Sequence, residues 1–398
     1  MASNIVSKNA ALTNQLDAGR AIARSQVKLG RGIGLLSFRA TKKPMASIKM
    51  QLGDEKNSIN PGGHLEELEV AQRDFVAGET PLYYAESLTK HYKDKKGKGP
   101  EIYIKREDLN PCGAHMMNNA IAQVMIAKRM GRRRVVAATG GGQHGVATAA
   151  ACVKHKLECT IFMGSEDIKK QSSNVKLMEK LGAKISLVEG NFREALLEVI
   201  KVYADNRETI YYLAGTVVGP HPCPEMVRGF QSVIGKETRR QAMEKWGGKP
   251  NMIVACIGSG SNALGLFNEF KEEDVRLIGV EAAGIGSERH DDVNHGNLSD
   301  ILKHAEGSIF NRPSISAALE DLDDLKVLID LKHLNETHRV EFHTVQDEEA
   351  MEAHKRVYEL EGINPPFEAA HAFAYLDKLC PTLSDGWKVV VNCSGRGD

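Results

Sequence analysis

The chain has 398 residues, enough for about two or three domains of ordinary size. Its 52 Lys and Arg balance 52 Asp and Glu, so it lacks the basic excess of a general nucleic-acid binder. No apolar run is long enough to cross a bilayer, so neither a nucleic acid nor a membrane is expected as a partner.

Residues 1–50 are rich in Lys, Arg and Ser, and Asp17 is their single acidic residue. They show no hydrophobic core of a secretory signal. This composition predicts an organelle transit peptide, or else a disordered basic tail. From about Ile102 onward, β-type runs alternate with helical stretches. EIYIKRE reads as a strand, and Asn118 to Met130 has helical periodicity. RRVVAAT is a second strand running into TGGGQHG. LECTIFMG follows, then a helix from Ile168 to Leu181, then AKISLVE, then a helix from Arg193 to Tyr203. NMIVACIGSGSNA is a further strand and Gly-rich turn with a short helix after it, and VRLIGVEA is one more strand. Strand, turn and helix in repetition mean parallel strands with crossover helices. Active sites in such sheets lie beyond the carboxyl ends of the strands. Gly219 to Pro224 reads as a hinge or an ordinary turn.

The seven cysteines, Cys112, Cys152, Cys159, Cys223, Cys256, Cys380 and Cys393, are scattered and form no C-x-x-C pair. They predict neither a disulfide framework nor a zinc site, and each reads as a small buried hydrophobe in a reducing compartment.

Two Gly-rich turns sit at strand ends. Gly258, Ser259, Gly260, Ser261 and Asn262 form either a phosphate cradle of backbone N–H groups or a tight turn with no ligand. Thr139, Gly140, Gly141, Gly142, Gln143 and His144 could hold a carboxylate in the same way.

The segment IKREDLNPCGAHMMNNA resembles the part of tryptophan synthase β subunits that carries the pyridoxal-phosphate lysine. TPLYYAESLTKHY, GQHGVATA, the GPHP of residues 219–222, SVIGKETRRQ, EKWGGKP, IGVEAAG, the SISA of residues 314–317, DEEA, LEGI and VNCSGRGD resemble that family too. They span roughly residues 65 to 398 in order. The resemblance implies an α/β chain with fold type II of the pyridoxal-phosphate enzymes, two three-layer α/β domains with a cleft between them. The first domain is expected at 82–232, with a mobile subdomain at 131–217, and the second at 51–81 plus 233–398. A β–β dimer that binds α subunits is also implied.

Carried over position by position, His115 matches the histidine beside the cofactor phosphate. Gly258, Gly260, Ser261 and Asn262 match the phosphate loop, with Ser259 in place of a glycine. Ser394 matches the residue facing the pyridine nitrogen, and Glu368 a glutamate near the ring. Thr139, Gly140, Gly142, Gln143 and His144 match the loop that holds the substrate carboxylate. Lys170 and Glu320 match an arginine and an aspartate that meet in the closed state, or are ordinary solvated charges. Arg193 falls where the family has a lysine contacting the α subunit. Cys223 replaces a tyrosine and Gly229 an aspartate.

Two matches fail at the centre. Met116 stands where the family has its Schiff-base lysine, and a thioether can neither bind the aldehyde nor shuttle protons. Ala138 stands where the family has a glutamate, and a methyl group transfers no protons. The family's Y-P-G-V-G-P-E-H stretch is absent, and the segment from Gly284 to Asn294 is shortened. No catalytic residue and no covalently bound cofactor are therefore expected, and no metal. The leading expectation is a non-catalytic, plastid-located β-like protein that activates an α-type subunit, as a homodimer or paired with a catalytic β chain. The alternatives are an enzyme that holds pyridoxal phosphate without a covalent bond, or an engineered lysine replacement. The several departures occurring together favour natural loss.

Overall fold

The computed structural model describes residues 78–217, 223–283 and 339–397, leaving out the side chain at 224. The transit-like residues 1–50, Glu320, the S-I-S-A stretch, Gly284 to Asn294 and most of the Gly219 to Pro224 turn lie outside them.

The chain opens with β1 (Leu82–Tyr84), α1 (Glu86–Tyr92) and β2 (Glu101–Arg106). After α2 (Met116–Arg129) come β3 (Arg134–Ala138), α3 (Gln143–His155) and β4 (Glu158–Gly164). The helix expected from Ile168 to Leu181 is two helices, α4 (Ser165–Lys170) and α5 (Ser172–Lys180). They break at Gln171, whose backbone is non-helical at φ −116° and ψ 40°. Next are β5 (Lys184–Val188), α6 (Phe192–Asn206) and β6 (Ile210–Tyr212). Asn191 and Glu194 form a capping box that starts α6 one residue before the expected Arg193. Then follow α7 (Cys223–Gln231), α8 (Val233–Trp246), β7 (Met252–Cys256), α9 (Ser261–Phe267) and β8 (Arg276–Ala282). The last elements are β9 (Val340–Val345), α10 (Asp347–Glu361), α11 (Phe367–Leu379) and β10 (Lys388–Cys393).

These strands form two sheets. The larger has the order β1-β2-β10-β7-β8-β9, and the smaller β5-β4-β3-β6. Every pairing is parallel except β1 with β2. Both sheets are covered on two faces, which is why their strands read as nearly unbroken apolar runs. In β10, Val389, Val391 and Cys393 join the core under α1, α10 and α11. Val390 points the other way into the core with α7, α8 and α9. In β3, Val135 and Ala137 face α2 and α3, while Val136 and Ala138 face α6. Period-two alternation thus gives each sheet two apolar faces and three layers.

The smaller sheet falls within the subdomain expected at 131–217. One assignment needs correction: β1 and β2 do not group with the residues up to 232. β2 pairs with β10 over six residues, from Glu101 against Lys388 to Arg106 against Cys393. Backbone hydrogen bonding therefore puts residues 82–106 in the larger sheet.

Candidate active-site cleft

Two turns, each leaving the carboxyl end of a central strand, define the cleft. After β7 the chain turns through Gly260, at φ +82°, into α9. Ile257 N–H donates to Val280 O at 2.8 Å, but the amides of Gly258 to Asn262 find no acceptor among the described residues. Five open N–H groups ahead of a helix make an anion cradle.

His115 locks this turn to the start of α2. Its Nδ1 lies 2.8 Å from the Ser394 carbonyl and its Nε2 3.0 Å from Ser261 Oγ. A carbonyl only accepts, so Nδ1 carries the proton and Ser261 donates to Nε2. Burial holds the His115 pKa below its usual value, which keeps the ring neutral. Asn262 Nδ2 donates to Cys256 O at 3.0 Å, and Asn392 Nδ2 donates to Asn262 Oδ1 at 3.1 Å.

After β3 the second turn runs from Thr139 into α3. Thr139 Oγ1 accepts from Gly142 N at 3.2 Å and Gly145 N at 3.3 Å. Gly142 sits at φ +85°, and a Cβ there would meet the Asn174 Cβ at 2.5 Å. Asn174 Nδ2 fixes the turn further by donating to Gly141 O at 3.1 Å. The amides of Gly140, Gly141, Gln143 and His144 have no acceptor among the described residues. This is a second anion site, at the N-terminus of a 13-residue helix.

His144 Nε2 donates to Leu213 O at 3.3 Å, while the buried Nδ1 has no hydrogen-bond partner among the described residues. Burial pushes its pKa down to about 4. A Cβ on Gly215 would strike the ring at 2.6 Å, so this glycine allows the imidazole its place.

Met116, Ala138 and Phe192 are apolar lining residues, and burial pushes the Cys256 thiol, also in the lining, up to about 12. Ala138 is buried beside Phe162 and the first turns of α6. Ser394 Oγ sits 3.8 Å from Cys256 Sγ. Glu368, in the first turn of α11, lies with Oε1 3.7 Å from where a Cβ on Gly141 would be. Among the described residues, no lining residue carries an amine.

The cleft holds about 900 Å³ of empty space, including the part open to solvent. It gathers His115, Met116, Ala138, Thr139, Gly140, Gly142, Gln143, His144, Gly258, Ser259, Gly260, Ser261, Asn262, Glu368 and Ser394, every expected cofactor and carboxylate position. Lys170 and Arg193 are exposed and outside it. Phe192, Gly215, Thr216 and Cys256 line it without having been singled out. Among the described residues no group of His, Cys, Asp and Glu could hold a metal ion.

A family model described as pyridoxal-phosphate dependent enzyme matches residues 74–395. Among solved structures, O-ureido-L-serine synthase matches with a TM-score of 0.62 and 15% identity, covering 82% of this chain and 92% of that one. A lysine-to-alanine variant of that synthase with O-ureido-L-serine bound matches with a TM-score of 0.61 and 16% identity, covering 82% and 90%. At such identity the likeness concerns the fold, and it agrees with the two-sheet architecture and cleft described above. With most of its length matched by the family model, the chain belongs to the pyridoxal-phosphate dependent enzyme family.

Proposed function

We propose that this protein is a non-catalytic relative of tryptophan synthase β subunits that binds an α-type subunit and activates it for indole formation from indole-3-glycerol phosphate. The observation that carries this reading is the pairing of an intact cleft with an apolar centre. Met116 and Ala138 occupy the lining where the resemblance places the lysine and the glutamate.

Pyridoxal phosphate fits only in part. The open amides from Gly258 to Asn262 suit its phosphate, and the Ser394 hydroxyl suits a ring nitrogen. When covalently bound, the cofactor supplies an electron sink for the α-carbon of an amino acid. Among the described residues no amine lines the cleft to attach it. Activation of an α subunit needs none of this chemistry. It is a coupling free energy transmitted through contacts, and a rigid scaffold suffices.

The exposed Arg193, in the first turn of α6, supports an α-facing surface. Lys170 and Glu320 are proposed as partners in closure. The acid-poor residues 1–50 support a plastid location. Gel filtration of this protein with the α-type subunit of the same organism tests the partnership, and a failure to co-elute at micromolar concentration would sink it. The second reading, an enzyme holding the cofactor without a covalent bond, is favoured only by the open phosphate cradle. A colourless protein whose spectrum is indifferent to added pyridoxal phosphate would remove that alternative.

A further inference from the structure

The two edges of the smaller sheet differ in character. Its carboxyl edge carries the Thr139–His144 turn. Its amino edge is entered by three helix-to-strand connections, from α2 into β3, from α3 into β4 and from α5 into β5. The strands are parallel, so all three connections meet at one edge, away from the cleft turn.

Their sequences, with the last helical residues, are KRMGRRR (128–134), VKHKLE (153–158) and LMEKLGAK (177–184). They contain nine Lys and Arg against two Glu, in a chain whose charges balance overall. Arg134 pairs with Glu158 at 2.9 Å. Among the described residues, no ion pair engages Lys128, Arg133, Lys156, Lys180 or Lys184, and all five are exposed. His155, the last residue of α3, has its pKa lowered by burial and then by the cations of both Lys128 and Lys154, which brings the first two connections together. Each connection also exposes one large apolar side chain: Met130 at 39%, Val153 at 53% and Leu177 at 39%.

A like-charged cluster repels itself, and an anionic partner relieves that repulsion. We propose that this edge docks an acidic, amphipathic polypeptide segment of a partner protein, with carboxylates on the five free cations and apolar side chains on Met130, Val153 and Leu177. A nucleic-acid backbone offers nothing to those three apolar groups. An anionic bilayer would press its headgroups onto Glu158 and Glu179 as well as onto the cations. A polypeptide can match both kinds of group. This surface is independent of the cleft and of the function proposed above.

Fluorescence anisotropy with a dye-labelled synthetic peptide of Glu, Asp and Leu tests the assignment. Saturable binding is expected, weakening as salt rises from about 0.05 M to about 0.3 M. Replacing the peptide's Leu by Ser should weaken it further. The combined Lys128→Glu, Lys156→Glu and Lys180→Glu protein should lose at least about tenfold in affinity, with its far-UV circular dichroism unchanged. Should the charge-reversed protein not fold, the corresponding triple Ala variant is measured instead, with the same expectation. No saturable peptide binding, or unchanged affinity in the variant, would overturn the proposal. So would tighter binding to phosphatidylglycerol–phosphatidylcholine vesicles or to a single-stranded oligonucleotide than to the peptide.

Discussion

The Nε2 of His115 lies 3.0 Å from the Oγ of Ser261, joining the residue just before α2 to the turn that opens α9. This single contact fixes where residue 116 stands relative to the phosphate-type turn. The residue after His115 therefore decides what chemistry the cleft can do, and it is a methionine.

Returning the missing groups tests that statement directly. Met116→Lys is expected to retain added pyridoxal phosphate through gel filtration, with a visible absorbance band that the natural protein lacks. Adding Ala138→Glu to this variant is expected to raise any serine-dependent turnover by about two to four orders of magnitude. Equal retention of colour by the unaltered chain would contradict the assignment of Met116.

His144 makes stability depend on pH. Its folded pKa of about 4 lies below the 6.5 of the unfolded chain, so the folded state favours the neutral ring. That stabilisation is complete above pH 6.5 and is lost as the pH falls toward 4, amounting to about 3 kcal/mol. Urea midpoints at pH 7.5 and pH 5 should drop more for the natural protein than for His144→Gln, which can still donate to Leu213 O. Parallel drops would show that His144 does not titrate this way.

Lys105 is fully buried. Its Nζ is 2.6 Å from Thr80 O, 2.5 Å from Glu237 Oε2 and 3.9 Å from Glu107 Oε1. Lys105→Met leaves the buried Glu107 and the partly buried Glu237 without their cation and is expected to cost about 3–5 kcal/mol. Burial raises the Glu237 pKa to about 7. The charge cost at that carboxyl therefore appears as pH rises from 4.5 to 7, and the variant should be weaker at pH 8 than at pH 5. Thermal melts at the two pH values check both the size and the sign.

Gly142→Ala would force a side chain into a left-handed backbone and against Asn174. A loss of about 1–3 kcal/mol is expected. Gly182→Ala, also at positive φ but with open space around it, should cost less. Equal losses would mean that the Asn174 contact is unimportant.

Much of this could be read from the sequence because parallel strands buried on both faces announce themselves as short apolar runs. The runs 134–138, 158–164, 184–188, 252–256 and 276–282 are all strands where their residues suggest. Single sequence runs do not reveal pairing. β2 looked like part of the first domain until its register with β10 placed it in the larger sheet. The break at Gln171 was hidden because a continuous helical pattern does not show where the axis turns. In the site, glycines and the residues flanking them marked the turns. Phe192 and Cys256 were missed because an apolar side chain lining a cleft has the same local pattern as one in a core.

The most direct test is indole release from indole-3-glycerol phosphate by a purified α-type subunit, with and without this protein. Strong stimulation is expected, with no tryptophan formed when serine and pyridoxal phosphate are supplied. No stimulation by any α chain of the same organism, or tryptophan formed by this protein, would contradict a non-catalytic activator.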